Sequence, residues 1–316
     1  MKSDRPNRNW FWAVLCVSCI FIGLLPYMPW LAAGFLPRIQ AIQPWLLAII
    51  VFAIIAALMR RRWLPSGITA ALLLVGILPL VDFSGAAPNG SNRDHELKVF
   101  SFNAGRAQAD PLQLAQAIRE ADPDVLVLVE TSEPLIASVG KLNALEGLSH
   151  RSGTVPTGGD RDTVVFSRYP MTERQEEISA QKTGWYGFPV VDIASPSGEF
   201  SVVGVHVYPP LDDAERWERG LDQLNRWARQ QGRQPVILAG DFNATRTHPQ
   251  FRRLAADMSA ENTMWPLNTW PAERQYPPIM GIDHVLARGM SVLDARSIKI
   301  AGSDHLALSV TVRSSL

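Results

Sequence analysis

No charged side chain stands between Trp10 and Leu36. An α-helix rises about 1.5 Å per residue, so about 20 apolar residues cross the hydrocarbon core of a bilayer, and this run is longer. Pro26 and Pro29 kink it or end it. A second apolar run covers Trp45 to Met59, with Ala41, Ile42 and Pro44 needed to complete a span. A third covers Trp63 to Leu80. A cleaved signal peptide would account for the first run, with Lys2, Arg5 and Arg8 before it, but not for the two that follow. Three apolar helices in succession without an amphipathic face also differ from the core helices of a soluble protein.

Basic residues orient the runs. Lys2, Arg5 and Arg8 precede the first, Arg60, Arg61 and Arg62 separate the second from the third, and Arg38 is the one cation between the first two. Basic loops stay in the cytoplasm, so three crossings leave everything after about residue 85 on the opposite face. If the second run were re-entrant, that parity would reverse. Asp82 to Asn92, rich in Gly, Pro, Ser and Asn, reads as a flexible linker. Residues 1–85 are therefore expected to be a membrane anchor with about three transmembrane helices, 86–96 a linker, and 97–316 a soluble domain.

The net charge of zero over 316 residues hides this division. Residues 1–89 carry 7 basic and 2 acidic side chains, which leaves 23 basic against 28 acidic for the remainder. A domain near −5 is a poor non-specific nucleic-acid binder, since that binding relies on Lys and Arg neutralising phosphates. Both cysteines, Cys16 and Cys19, lie in the first apolar run, so the soluble domain has no disulfide and no cysteine-based zinc site.

The soluble domain alternates two periodicities. Leu97–Phe102, Val125–Val129, Thr163–Ser167, Phe188–Ile193, Phe200–Val207, Pro235–Ala239, Ile282–Ala287 and Leu306–Val312 read as strands. Pro111–Ala121, with Asp110 as N-cap, and Asp213–Gln231, with Trp217, Leu221, Leu224 and Trp227 on one stripe, read as helices. Strands that are apolar throughout are buried on both faces, which implies large sheets covered by helices in an α/β domain.

Polar residues recur where those buried strands stop: Asn103, Glu130, His206, Asp241 with Asn243, Asp283, and Asp304 with His305. A single carboxylate or histidine at such a place is ordinary. The repetition is not, because a carboxylate at a buried strand end is costly unless it is paired or binds metal. Asn, Asp and Glu oxygens are hard donors suited to Mg²⁺, Mn²⁺ or Ca²⁺. Imidazoles beside carboxylates suit acid–base work near neutral pH. Together they point to phosphate-ester hydrolysis. Neither Gly-x-Ser-x-Gly, nor a phosphate-binding G-x-x-x-x-G-K-[ST] loop, nor an HExxH helix is present.

Phe102-Asn103, Val127-Leu-Val-Glu130, Gly204-Val-His206, Gly240-Asp-Phe-Asn243, Ile282-Asp283-His284 and Gly302-Ser-Asp304-His305 occur in the order found in the endonuclease/exonuclease/phosphatase superfamily, which the chain resembles over residues 97–313. The resemblance implies a four-layer α/β sandwich, two packed mixed sheets flanked by helices, here behind three transmembrane helices. It implies a Mg²⁺-dependent hydrolase of phosphate esters, with Mn²⁺ or Ca²⁺ as alternatives. Asn103, Glu130 and Asp304 resemble the metal ligands. Asp241 and Asn243 resemble the pair that activates water and holds phosphoryl oxygens. His305 resembles the histidine that stabilises the phosphate, Asp283 its orienting carboxylate, and His206 the acid to the leaving group. The active-site tyrosine of some members has three counterparts, Tyr169, Tyr186 and Tyr208, and no second carboxylate partner for His206 stands out.

The expected partner is a phosphate-ester substrate, with no obligate protein partner evident. The expected location is the inner (cytoplasmic) membrane, multi-pass, with the catalytic domain extracytoplasmic or periplasmic. The resemblance places a phosphodiesterase or endonuclease ahead of a lipid-headgroup phosphodiesterase or phosphomonoesterase, and an inactive binding module last. A site mouth lined by Trp265 and Trp270 would favour lipid; one lined by Arg246, Arg252 and Arg253 would favour nucleic acid. Trp265, Trp270 and Tyr276 either pack their loop or wall the site. His248 and Arg246 read first as part of a surface loop, and Arg161 and Arg168 as members of ordinary salt bridges.

Overall fold

The computed structural model describes residues 8–81, 96–153, 163–175, 177–211, 213–256, 258–259 and 267–314. Lys2, Arg5, Arg161, Trp265 and all but the last residue of the expected linker lie outside these.

The described N-terminal part has four α-helices: α1 (Arg8–Leu24), a short α2 (Leu36–Ala41), α3 (Gln43–Met59) and α4 (Trp63–Ile77). Trp10–Tyr27 and Trp63–Leu80 are each 18 residues long and apolar enough to cross a membrane. The second expected span falls short, because α3 has only 17 residues. Ala41 ends α2 and Ile42 stands at φ −90°, ψ 4° between two helices, so of the residues needed for lengthening only Pro44 joins α3. Close contacts hold the helices together. A Cβ on Gly23 would lie 2.9 Å from the Leu72 carbonyl, and one on Gly76 would lie 2.7 Å from Leu47. Such glycines let helix backbones approach closely. Buried Gln43 donates from Nε2 to Ile22 O at 3.4 Å and Gly76 O at 3.2 Å, joining α3 to α1 and α4.

The rest is built on two mixed sheets. One has the order β10-β11-β1-β2-β4-β3, formed by β1 (Glu96–Asn103), β2 (Val125–Val129), β3 (His150–Arg151), β4 (Thr163–Ser167), β10 (Met290–Lys299) and β11 (Leu306–Ser314). The other has the order β5-β6-β7-β8-β9, formed by β5 (Met171–Glu173), β6 (Val190–Ser195), β7 (Gly198–His206), β8 (Val236–Asp241) and β9 (Asp283–Arg288). Their facing sides share one core that includes Val99, Val127, Val165, Val202, Ile237 and Val285. On the outer side of the first sheet lie α5 (Pro111–Ala121) and α6 (Glu133–Lys141), packed through Leu114, Ile118 and Val139. Outside the second lie α8 (Ala214–Gln230) and α9 (Pro249–Ala255), through Trp217, Leu221, Leu224 and Phe251. A short α7 (Ala180–Thr183) precedes β6. This is the expected four-layer sandwich.

Local chemistry explains the boundaries. Asp110 caps α5, its carboxylate accepting from Gln113 N at 2.8 Å, and Asp213 caps α8 through Arg216 N at 2.9 Å. Such caps stabilise a helix by about 1 kcal/mol. The sequence patterns pass over α6 and β10. The first is only 9 residues, and the second alternates buried and exposed residues irregularly around a bulge at Val292/Asp294.

Topology brings the strand ends together. β1 and β2 run parallel, as do β7 and β8, while β9 and β11 run antiparallel to their neighbours. The ends of β1, β2, β7 and β8 and the starts of β9 and β11 therefore share one rim of the sandwich.

Candidate active site

His206, Asp241 and Asp283 stand in register across three adjacent strands, His206 opposite Asp241 and Asp241 opposite Asp283. The other sheet contributes Asn103 from the last residue of β1 and Glu130 immediately after β2. Asp304 and His305 directly precede β11. All of these except Glu130 and Asp304 are buried.

Hydrogen bonds tie the two sheets at this rim. Asn103 Nδ2 donates to Glu130 Oε1 and to Asp241 Oδ2, both at 3.1 Å, while its Oδ1 accepts from Gly105 N at 3.0 Å. Glu130 Oε2 accepts from Arg106 N at 2.8 Å. His206 Nε2 lies 3.5 Å from Glu130 Oε1, which supplies the carboxylate partner that the sequence left unidentified. Asp241 Oδ1 accepts from Asn243 N at 2.8 Å, and its Oδ2 from Asn243 Nδ2 at 3.2 Å. His305 Nδ1 donates to Asp283 Oδ2 at 2.8 Å, and its Nε2 lies 3.9 Å from Asp241 Oδ2 and 3.8 Å from Asp304 Oδ1.

Backbone strain collects here. Glu130 and Asn243 adopt φ of +50° and +47°. Each costs a non-glycine residue on the order of 1 kcal/mol, and such strain persists where surrounding structure holds it. Gly240, at φ +143°, admits no side chain at all, since its Cβ would lie 2.0 Å from the Val205 carbonyl. The preceding residue thus lets β7 and β8 pair closely enough to set Asp241 beside His206.

Burial is the largest influence on Asp241 and, with the charge of Asp283, pushes its pKa up to about 8. Burial works against the His305 imidazolium, but Asp283 and Asp241, then Asp304, outweigh it and raise the pKa to about 10. The site thus holds a histidine cation among more carboxylates than that cation neutralises.

Two groups of side chains place ligand atoms within 4.8 Å of one another: Glu130, His206 and Asp241, and Asp241, Asp283 and His305. The first offers the carboxylate oxygens of Glu130 and Asp241 and one imidazole, with Asn103 turning its Nδ2 toward both carboxylates, and this hard-donor pair fits a divalent cation. Asp304 belongs to neither group. Its Oδ2 accepts from Trp270 Nε1 at 2.8 Å, which gives that tryptophan a wall position.

These residues line a cavity of about 840 Å³. Tyr208 lines it as well, edge-on to Trp185 with ring centres 4.3 Å apart. Tyr169 instead bonds Asp124 Oδ1 at 3.2 Å, away from the site. Arg168 pairs with Asp122 at 2.6 Å and Asp124 at 3.0 Å, as an ordinary salt bridge. The expected surface loop after Asn243 is the reverse of one. Thr245, Arg246, Thr247, His248 and Gln250 are all buried, because the chain between α1 and α3 covers them. Sequence reasoning also missed that covering chain: Pro37, Arg38, Ala41 and Ile42 line the cavity.

The fold is shared with solved structures. TDP2 from D. rerio, complexed with single strand DNA product, superposes with a TM-score of 0.57 at 14% identity over 70% of this chain and 100% of its own. Truncated TDP2 from Caenorhabditis elegans gives 0.56 at 17% identity over 69% and 98%. A family protein from Bacteroides thetaiotaomicron gives 0.54 at 18% identity over 71% and 100%. A comparison with curated proteins returns no match. The model of the Endonuclease/Exonuclease/phosphatase family matches residues 100–305, from the strand carrying Asn103 to His305 itself, and the chain belongs to that family of metal-dependent phosphoester hydrolases.

Proposed function

We propose that this protein is a metal-dependent phosphodiesterase held at a membrane surface outside the cytoplasm. The observation that carries the reading is the cluster in which Asn103, Glu130 and His305 of one sheet meet Asp241 and Asp283 of the other, Asn103 bonding Asp241 at 3.1 Å and His305 bonding Asp283 at 2.8 Å.

Each residue has a chemical task in that arrangement. Asp241, with its proton affinity raised by burial and Asp283, takes the proton of the attacking water. Asn243, whose Nδ2 donates to Val207 O at 2.9 Å and to Asp241 Oδ2 at 3.2 Å, has its amide oxygen left to accept from that water. His305, charged and fixed by Asp283, offsets negative charge growing on the phosphoryl oxygens. His206, oriented by Glu130, donates a proton to the departing alcohol. Glu130, with Asn103 beside it, would hold a divalent cation, of which Mg²⁺ is the expected one and Mn²⁺ and Ca²⁺ the alternatives, leaving His206 and Asp241 for proton transfer. When bound, it supplies positive charge to the non-bridging oxygens. Asp304 adds negative charge beside His305 and secures Trp270.

Contacts of the sandwich support the membrane placement. They involve the chain between α1 and α3, at the opposite end of these helices from Arg60–Arg62. That is the arrangement expected if α3 crosses despite its length and the basic loop is cytoplasmic.

The test is hydrolysis of bis(p-nitrophenyl) phosphate by the detergent-purified full chain, with Mg²⁺, with Mn²⁺ and with EDTA, beside His305→Ala. Metal-dependent turnover that His305→Ala lowers by at least about 10³-fold is expected. Turnover indifferent to EDTA or to the substitution would sink the proposal.

A further inference from the structure

One wall of the catalytic cavity comes from the apolar N-terminal part. Pro37, Arg38, Ala41 and Ile42 line the same space as Glu130, His206, Asp241 and His305. The wall is anchored. Prolines 26, 29 and 37 break the helix after α1, and a broken helix leaves carbonyls in want of donors. The catalytic sandwich supplies them. Thr247 Oγ1 donates to Gln40 O at 2.5 Å, His248 Nε2 to Pro37 O at 2.8 Å, Gln250 Nε2 to Pro29 O at 3.0 Å, and Arg252 to Pro26 O. Across the cavity, Arg38 donates to Leu211 O and Trp45 Nε1 to Ile279 O at 2.9 Å.

These contacts also remove the basic residues from the cavity. Arg252 faces the Tyr27 ring at 5.5 Å, Arg253 pairs with Glu218 and Asp222, each at 3.6 Å, and Arg246 is buried. The cavity is instead lined by Ile42, Trp185, Tyr208, Leu211, Trp270 and Met280, with two exposed cations, Arg38 and Arg106, and one exposed acid, Glu273. Nucleic-acid binding neutralises a succession of phosphates along a basic track. Two cations beside an apolar rim match a single phosphate joined to an apolar body. Tyr27, Trp30 and Phe35 on the same connection and Trp45 in the first turn of α3 are all exposed, the residue types that gather at the headgroup level of a bilayer.

We propose that residues 37–42 are the substrate-selecting wall of the active site, and that it admits a phosphodiester lipid of the membrane in which the chain is anchored. This rests on the phosphodiesterase reading above. Arg38, which has no ion pair among the described residues, binds the lipid phosphate, and Ile42 packs on the first methylenes. Water oxygen bonds to phosphorus as one ester P–O bond breaks. The leaving alcohol takes a proton from His206, and the water proton goes to Asp241, giving a phosphomonoester and an alcohol.

The test uses the full chain reconstituted in vesicles of phosphatidylethanolamine and phosphatidylglycerol, with products read by mass spectrometry. Glycerophosphoethanolamine (the same diester without acyl chains), bis(p-nitrophenyl) phosphate and a single-stranded oligonucleotide are the comparisons. The lipid should be cleaved with kcat/KM at least about 100-fold above glycerophosphoethanolamine. Arg38→Gln and Ile42→Ser should each raise the lipid KM about 10-fold while kcat changes little, as expected when ground-state binding is lost. Faster cleavage of the oligonucleotide than of the lipid, or an unchanged lipid KM in both variants, overturns the inference and leaves the phosphodiesterase reading standing. If no diester is cleaved with metal present, that earlier reading fails and this one with it.

Discussion

Protonation of His248 should loosen the buried loop after Asn243 on which the covering chain rests. His248 is 1% exposed, and its ring packs edge-on against Trp217 with centres 4.9 Å apart. Nδ1 accepts from Thr245 N at 2.8 Å, so the proton sits on Nε2, which donates to Pro37 O at 2.8 Å. A second proton on Nδ1 would point at the Thr245 N–H and break that bond. Burial, with the charge of Arg252 adding to it, therefore lowers the His248 pKa from 6.5 to about 4. Between those values the unfolded chain binds a proton that the native one refuses, so stability rises with pH across this window. The contribution is fully present above about pH 6.5, falls as pH drops, and is gone below about pH 4. At about 1.4 kcal/mol per unit, the difference corresponds to about 3 kcal/mol. Thermal melts of the detergent-solubilised chain should lose roughly 6–10 °C more between pH 7 and 4 than those of His248→Gln, which does not titrate. Other titrating groups cancel in that comparison. Parallel melting curves for the two proteins would refute the argument that His248 is held neutral beneath Pro37.

Gly240→Ala should destabilise the sandwich by more than about 3 kcal/mol in urea unfolding, because its Cβ meets the Val205 carbonyl at 2.0 Å; a smaller loss would show that β7 and β8 separate easily. Glu130→Gln should weaken Mg²⁺ or Mn²⁺ binding about 10- to 100-fold by titration calorimetry, since one hard carboxylate becomes an amide; unchanged affinity would place the cation elsewhere. A reporter fused after Leu316 should behave as extracytoplasmic, and a cytoplasmic signal would mean that α3 does not cross.

Local pattern carried far in this chain. The N-cap Asp110, the buried run Val125–Val129 and the apolar stripe of α8 were readable because each depends on residues within a few positions. The candidate site was readable for a different reason. Asn103, Glu130, His206 and Asp241 each interrupt an apolar run at its end, and a polar group there demands a partner. The length of α3 was misjudged because the break at Ile42 comes from backbone angles that hydropathy does not register. Residues 245–250 were misjudged because Thr, Arg, Gln and His look exposed until the carbonyls they satisfy are known.

The sequence by itself determined the contrast between an apolar N-terminal part and an α/β remainder, and the six strand-end motifs, since periodicity and residue chemistry are local. Tertiary structure decided which of those ends meet, through the parallel pairs β1–β2 and β7–β8 and the antiparallel returns β9 and β11. It also decided that the chain between α1 and α3 completes the cavity. Pro37 and His248 are 211 positions apart, and what joins them is a free carbonyl meeting a buried donor, a match that no local pattern records.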